Sequence, residues 1–426
     1  MNLKTVNDWL EWIESIHSSE IELGLKRVDI VRDRLSIPTK LDIPVITISG
    51  TNGKGSTAAY IESILTESGR KVGVYSSPHI THFNERIRIN GKGTDNRKIC
   101  TAFSKVKDAI EQDNPISLTY FEFVTLAALV VFIKEQLDVI VLEVGLGGRL
   151  DAVNIIDPAC AVITNISYDH QDWLGNTLEK IAREKAGIMR KGVPVIYAGE
   201  DAQETIKETA KKIEAKLYLL NEQITTSTNK NDWNFTFLQK NIIGIPLPDA
   251  GYHQQINAAT ATAAILLCNI DISDKEIKNG ITKEKLQGRT DKFTRGYDCI
   301  VDVAHNPDSI AKLITYLKNN PSKGKNIALF SILKRKDIDA VLNQSRGVFD
   351  KWLLVKTADP DSHKDTTLQQ IFATKAVNEE TESLNTTSEA INYADNNLST
   401  NDRLVVFGSF RVVSEFYSQI KINPKA

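Results

Sequence analysis

Short apolar runs rich in β-branched residues, spaced by segments of helical periodicity, constrain this chain most. Residues 43–49 (IPVITIS), 71–75, 139–145 (VIVLEVG), 160–166 and 193–197 are short runs of mostly continuous, not alternating, hydrophobicity. A strand wetted on one face alternates polar and apolar residues. A strand covered on both faces does not, and that is the state of parallel strands held between two layers of helices. Between the first two runs, Ala58, Ile61, Ile64 and Leu65 fall on one helical face, and Gly69 stands where a left-handed residue ends a helix. Residues 121–137 are apolar almost all round, as a buried helix is. The alternation predicts an α/β domain with a doubly wound, mostly parallel sheet. A second series at 299–304, 326–331, 351–356 and 403–408 predicts a smaller, Rossmann-like α/β domain in the C-terminal part.

At 426 residues the chain exceeds what one core usually serves. Two domains are expected, 1–288 and 289–426, joined through the charged segment 287–297, which carries Gly288 and Gly296. Residues 227–249 are polar and then turn to short β-like pieces, which reads as a peripheral excursion. A helix over 253–267 returns to the core. Residues 377–400, rich in Asn, Ser and Thr, read as loosely packed surface, and no internal repeat is visible.

The bulk properties exclude several classes. A net charge of −2 leaves no basic excess to neutralise a nucleic acid. The longest apolar run, Leu126 to Ile133, is too short for a bilayer, so no membrane partner is expected. The first residues read as an amphipathic helix and not as an export leader. Cys100, Cys160, Cys268 and Cys299 lack CxxC spacing and read as small buried hydrophobes in a reducing compartment, so a cytoplasmic location is expected. Heptads are absent, and a monomer is the expectation.

The segment Gly50-Thr51-Asn52-Gly53-Lys54-Gly55-Ser56 stands between a predicted strand and a predicted helix. Glycines there let backbone N–H groups converge on an anion, and the helix start adds its positive end. Lys54 is placed to neutralise terminal phosphates of ATP, and the Ser56 hydroxyl to meet Mg²⁺. The spacing departs from the common phosphate loop. The leading glycine would fall at Ile48, and Gly55 separates the lysine from the hydroxyl. Glu143 closes an apolar strand, where a carboxylate is costly unless it meets a cation. The carboxyl edge of a parallel sheet is also where such folds bind ligands.

Loop 50–56 resembles the ATP loop of the Mur-ligase superfamily, and residues 143–151 (EVGLGGRLD) resemble the second signature of its folylpolyglutamate synthase family. Residues 75–79 (YSSPH), 117–122 (SLTYFE), Asp169-His170, 184–188 (EKAGI) and 302–307 (DVAHNP) resemble further family segments in the same order. The likeness runs from about Trp9 to Phe410. It implies an ATP-dependent acid–amino-acid ligase that adds L-glutamate to dihydropteroate and to folates. Carboxylate and amine do not condense unaided, because the leaving oxygen is poor. Phosphorylation by ATP makes an acyl phosphate that the amine can attack, and the protein's task is positioning and charge screening.

The same resemblance implies the site. Gly53, Lys54, Gly55, Ser56 and Asn257 contact ATP. Arg289 contacts phosphate, and Asp302 the ribose or a metal shell, once the second domain closes. Glu143 and Ser56 hold one Mg²⁺, and His170 with Ser77 a second. Imidazole is an unusual ligand for that ion, so the His170 assignment rests on the likeness. Lys185 is carbamylated, which requires a neutral amine and a lowered pKa. Gly24, Leu25, Lys26 and Arg27, in a loop over 20–28, cover the pterin. Thr119, Tyr120, Phe121, Glu122, Arg149, Leu150 and Asp151 wall it, and His305 and Ser409 lie near the incoming glutamate. Val153 departs from the family's usual hydroxyl residue, and Thr290 from a common aromatic. The rival readings are another Mur-type amide ligase, folylpolyglutamate synthesis alone, a phosphotransferase, and a nucleotide-binding module without turnover.

Overall fold

The structure, a computed structural model, describes residues 3–19, 21–249, 251–285, 287–374 and 379–420. The chain forms two compact units. The first holds residues up to His79 together with Phe83–Glu284. The second holds Ile80–His82 and the chain from Lys285 onward.

The first unit is built on eight strands: β1 Val45–Ser49, β2 Val72–Tyr75, β3 Ile87–Ile89, β4 Lys92–Gly93, β5 Val139–Glu143, β6 Cys160–Ile163, β7 Pro194–Tyr197 and β8 Lys216–Leu219. Their order is β4-β3-β2-β5-β1-β6-β7-β8. Only the β2–β3 and β3–β4 pairs are antiparallel. β1, β5 and β6 are buried along their whole length, which is why their sequences do not alternate. The helix Lys54–Glu67 leaves β1 through the glycine-rich loop and buries Ala58, Ile61, Ile64 and Leu65. Trp9 of the first helix, Phe83, Phe103 and Phe123 form an aromatic cluster with Phe103 at its centre, its ring 5.8 Å from Trp9 and 5.7 Å from Phe83 and Phe123.

Residues 227–249 are more ordered than an excursion. β9 Ile224–Thr228, β10 Asp232–Phe237 and β11 Lys240–Pro246 make an antiparallel three-stranded sheet. Trp233, Phe235 and Phe237 alternate along β10 and are fully buried.

The second unit has β12 Asp291–Thr294, β13 Asp298–Val301, β14 Asn326–Phe330, β15 Lys351–Val355, β16 Glu380–Leu384 and β17 Arg403–Phe407, in the order β12-β13-β17-β14-β15-β16. Only β12 runs antiparallel to its neighbour. Successive residues feed opposite cores. Ala328, Phe330, Trp352, Val405 and Phe407 join one cluster, and Ile327, Leu329, Leu353, Leu404 and Val406 the other. Both clusters are buried, and the runs are accordingly apolar throughout.

Three expectations need correction. Segment 287–297 is not merely a joint. It supplies edge strand β12, whose Phe293 ring packs 6.0 Å from Phe416 and whose Asp291 accepts from Tyr417 Oη at 2.6 Å. Of residues 377–400, the first two lie outside the described residues. The rest form β16 and a helix, Thr387–Asn397, that buries Ala390, Ile391 and Ala394. Three small or aliphatic residues at helical spacing suffice to dock a polar segment. The segment 20–28 is a loop only in part. Glu20 lies outside the described residues, and Lys26 and Arg27 open a helix, Lys26–Arg34. No helix among the described residues is long and apolar enough to cross a membrane.

Phe103→Ala removes the ring that joins three aromatic neighbours. It should cost about 3–5 kcal/mol of the first unit's stability, read as a lowered midpoint in urea unfolding followed by tryptophan fluorescence.

Candidate active site

Adjacent parallel strands β5, β1 and β6 end at one edge, with Ile48 opposite Glu143 and Ser49 opposite Ile163. The loop Gly50–Ser56 emerges there. Gly50 has φ 143°, and a Cβ on it would stand 1.9 Å from Thr164 Oγ1. Gly53 has φ 89°, and a Cβ would stand 2.6 Å from Asn257 Oδ1. Only glycine fits either place. The loop is tied to the segment after β6. Thr51 N donates to Asn165 O at 2.9 Å, Asn52 N to Asn165 Oδ1 at 2.7 Å, and Thr164 Oγ1 to Asn52 O at 2.6 Å. The helix that starts at Lys54 places its positive end at this loop.

Two amines meet on one carbonyl. Lys54 Nζ donates to Gly50 O at 3.0 Å and to Thr51 O at 3.2 Å, and Lys185 Nζ donates to the same Gly50 O at 2.8 Å. Lys185 is buried. Burial first, then the charge of Lys54, bring its pKa down to about 7, against the pull of Asp169 and Asp151. The loop after β5 positions it. A Cβ on Gly148 would come within 2.9 Å of Lys185 O, and Arg149 N donates to Glu184 O at 2.8 Å. Gly148 therefore lets this loop lie against the helix Leu178–Ala186 that carries Lys185.

The residues assigned to metal supply mostly hard oxygen. Glu143 is buried and its Oε2 accepts from Ser77 N at 3.3 Å. Ser56 Oγ, also buried, accepts from Gln254 Nε2 at 3.4 Å, and Gln254 Oε1 accepts from Asn257 Nδ2 at 3.0 Å. No group of three or more His, Cys, Asp or Glu among the described residues could hold a metal by itself. One carboxylate with hydroxyls fits Mg²⁺, which keeps few protein ligands and takes the rest from phosphate and water. His170, with φ 50°, precedes a four-residue helix and lies beside Asp169, whose Oδ1 accepts from His170 N at 2.9 Å.

Of the residues assigned to the pterin, Arg27 and Glu122 meet directly, and the others are held by separate contacts within this unit. Gly24 and Leu25 lead into the helix on which Lys26 and Arg27 sit. Arg27 Nη2 donates to Glu122 Oε1 at 3.0 Å and its Nη1 pairs with Glu22. Glu122 also caps its own helix. Its Oε2 accepts from Thr119 N at 2.8 Å while its N donates to Thr119 Oγ1 at 3.3 Å. Tyr120 lies under the Arg86 guanidinium at 5.5 Å, and the Phe121 ring is 5.8 Å from Tyr75. Asp151 is buried and pushed up to about 6 by that burial, while the amides of Leu146 and Val153 donate to it at 2.8 and 3.0 Å. Its oxygens thus hold the loop that follows β5. Arg149 is exposed and pairs with Glu184 at 2.9 Å, and Leu150 is half-buried. Arg86 and His17, which carry no sequence signal, and Glu22 and His79, which lie inside the segments 20–28 and 75–79, contact these residues or one another. Arg86 Nε bonds His79 Nδ1 at 2.8 Å, and His17 Nε2 lies 2.9 Å from Glu22 Oε2.

In the second unit, Asp302 accepts from Thr290 N at 2.8 Å, Thr290 Oγ1 at 3.1 Å and Ala304 N at 2.8 Å. Burial raises its pKa and the Arg289 charge opposes the rise. Thr290, which departs from the resemblance, reaches Asp302 with its hydroxyl as well as its N. The Arg289 guanidinium lies 5.7 Å from the Phe410 ring centre, and the His305 ring 5.6 Å from it. His305 Nδ1 lies 2.8 Å from Val303 O and therefore carries a proton. Ser409 is buried and its Oγ accepts from Val412 N at 3.2 Å.

Comparison with known proteins bears on both units. The Mur ligase middle domain family matches residues 48–265, and the Mur ligase glutamate ligase domain family matches residues 288–410. The chain is 38% identical over 406 residues to the dihydrofolate synthase/folylpolyglutamate synthase of Escherichia coli K12, covering 95% of this chain and 93% of that protein. With the protein of the same name from Bacillus subtilis it shares 28% identity over 97% of this chain and 99% of that one. Among solved structures, E. coli FolC in complex with DHPP and ADP superposes with a TM-score of 0.92 at 37% identity, covering 98% of each chain. A bifunctional folylpolyglutamate synthase/dihydrofolate synthase with Mn, AMPPNP and L-glutamate bound gives 0.90 at 35%, again over 98% of each.

The Lys185 amine makes stability depend on pH. Its pKa falls from 10.5 to about 7 on folding. Between those values the unfolded chain holds a proton that the folded chain has released, so stability rises with pH across that window and is lost as pH falls toward 7. In CO₂-free buffer the wild type should gain about 2 kcal/mol relative to Lys185→Met between pH 7 and pH 9, measured by urea unfolding at each pH.

Proposed function

The chain belongs to the dihydrofolate synthase/folylpolyglutamate synthase family of Mur ligases, and we propose that it joins L-glutamate to dihydropteroate and to folates through an acyl phosphate made with ATP. It is an ATP-dependent ligase with the fold of that family. The observation that carries the finer reading is the convergence of the phosphate loop, Glu143 and Lys185 at the ends of β1, β5 and β6.

In this reading Gly53, Lys54, Gly55, Ser56 and Asn257 bind the nucleotide. Lys54 draws negative charge from the phosphoryl group as it leaves for the substrate carboxylate. The carboxylate oxygen attacks the terminal phosphorus and ADP leaves; the neutral glutamate amine then displaces phosphate from the acyl carbon, forming the amide and releasing one proton. Glu143 and Ser56 hold one Mg²⁺, and His170 with Ser77 a second. When bound, the ions screen the phosphate charge. Gly24, Leu25, Lys26, Arg27, residues 119–122 and residues 149–151 contact the pterin-bearing acid. The Arg27–Glu122 pair and the Arg86–Tyr120 contact support that placement. In the second unit Arg289 and Asp302 are assigned to the nucleotide, and His305 and Ser409 to glutamate. The net charge of −2 leaves no basic excess for a nucleic acid, and we place the enzyme as a monomer in the cytoplasm, with no membrane partner.

Lys185 is assigned as a carbamate. A neutral amine adds to CO₂ with loss of one proton, and the lowered pKa supplies that neutral amine near pH 7.

Incubation of the full chain with MgATP, L-glutamate and either dihydropteroate or a reduced folate should yield a product one glutamyl residue heavier in each case, read by mass. Product from one acid alone would restrict the activity to that branch. Lys54→Ala and Glu143→Ala should each lower turnover by ~10²-fold or more with the circular-dichroism spectrum unchanged. Near-normal turnover in either would refute the phosphate and metal assignments.

With ¹³C-bicarbonate, the wild type should show a carbamate carbonyl resonance that Lys185→Met lacks. An identical spectrum for the two proteins would remove the carbamate.

A further inference from the structure

The helix that begins at the phosphate loop buries a carboxylate that ATP chemistry does not explain. Glu62 lies on Lys54–Glu67 among Ala58, Ile61, Ile64 and Leu65, and is 5% exposed. Its partner is Arg88 of β3. Arg88 Nε donates to Glu62 Oε2 at 2.9 Å, its Nη2 lies 2.8 Å from the same oxygen, and Glu62 Oε1 accepts from Gly91 N at 2.7 Å. The other end of the guanidinium reaches a different element. Arg88 Nη1 donates to Ser76 Oγ at 2.7 Å and to Glu85 O at 2.8 Å. Ser76 adjoins Ser77, whose N donates to Glu143 Oε2 at 3.3 Å. One side chain thus links the phosphate-loop helix to the turn that faces Glu143. Glu284, beyond the helix Asp274–Lys283, adds a second carboxylate to the field around Arg88.

A mostly buried ion pair is a poor source of stability, because desolvation offsets its attraction and an apolar pair of similar size serves as well. What the apolar pair lacks is direction. The planar guanidinium fixes Glu62, Ser76 and Glu85 at set angles, which neither methionine nor lysine reproduces. We propose that Arg88 and Glu62 are positioning residues that set the Ser76–Ser77 turn against the phosphate-loop helix, and so the spacing between Glu143 and Ser77, the residues assigned to the two Mg²⁺ ions that accompany the nucleotide. The inference rests on the metal assignment given above. Groups one step removed from metal ligands tune affinity in this way.

The test uses the full chain with Arg88→Lys, the apolar pair Glu62→Met/Arg88→Met, and Ser77→Ala as the reference for the metal assignment. Three quantities are read: the thermal midpoint, ADP affinity by calorimetry with and without Mg²⁺, and the Mg²⁺ concentration for half-maximal ligation. The apolar pair should melt at or above the wild type and bind metal-free ADP within about twofold of it. Its Mg²⁺-dependent gain in ADP affinity should fall, and its Mg²⁺ requirement rise, by about tenfold or more, with Arg88→Lys between the two. If the apolar pair keeps the wild-type Mg²⁺ response while Ser77→Ala loses it, Arg88 and Glu62 only hold the fold and the inference is wrong. If Ser77→Ala itself responds to Mg²⁺ as the wild type does, the metal assignment fails and the inference falls with it.

Discussion

The Gly50 carbonyl and the two amines that share it set the terms for the rest of the first unit. Lys54 and Lys185 approach that oxygen from different elements, one from the loop's own helix and one from Leu178–Ala186. Such an approach needs a carbonyl at the end of a central strand. It also needs a loop with no side chain in the way, and a second loop thin enough to let the lysine-bearing helix close in. Gly50 and Gly148 meet the last two needs, since a Cβ on either would collide with its neighbour. Parallel pairing of β1 with both β5 and β6 meets the first. The glycine signatures are therefore one geometric requirement expressed on two loops.

The same parallel pairing explains why the architecture could be read from the chain at all. In the second unit Ile327 and Ala328 point into different cores, as do Leu404 and Val405. Both faces being dry, each strand spells an unbroken apolar word that stands out from its surroundings. The phosphate loop was legible for a related reason. Its chemistry is compressed into seven consecutive residues, so spacing alone conveys what the backbone must do.

What escaped reading has the opposite character. β10 buries Trp233, Phe235 and Phe237 in a polar stretch, and alternation over so short a span does not reveal its partners. The strand β12 and the helix Thr387–Asn397 are polar segments, held by contacts with residues far along the chain, such as Phe416 and Tyr417 for β12. Lys26 and Arg27 open a helix although their segment was read as loop, and the Arg27–Glu122 pair spans elements that no local rule connects. Arg88 and Glu62 are the extreme case. Each looks like an ordinary surface charge in sequence, and only the antiparallel pairing of β3 with β2 brings Arg88 beside Ser76. Asp151 was legible as part of a signature, yet its local use, accepting amides from Leu146 and Val153, depends on a turn that spacing does not specify.

The electrostatics around Gly50 favour the carbamate assignment from a second direction. With Lys185 as an ammonium, two cations stand on one oxygen in a buried setting, and like charges that close repel strongly where water is excluded. The fold lowers the repulsion by easing loss of the Lys185 proton, so that near and above pH 7 the neutral amine beside one cation becomes populated. Addition of CO₂ goes further and changes the charge of that side chain from +1 to −1 relative to the ammonium. The neighbour of Lys54 is then an anion, and the pair attracts. A positive Lys185 would oppose a dication beside Glu143, while a carbamate adds hard oxygen of the kind Mg²⁺ prefers. Burial is the larger cause of the lowered pKa, and the proximity of Lys54 adds to it. Together they bring the neutral amine, the form that can add CO₂, within reach near pH 7.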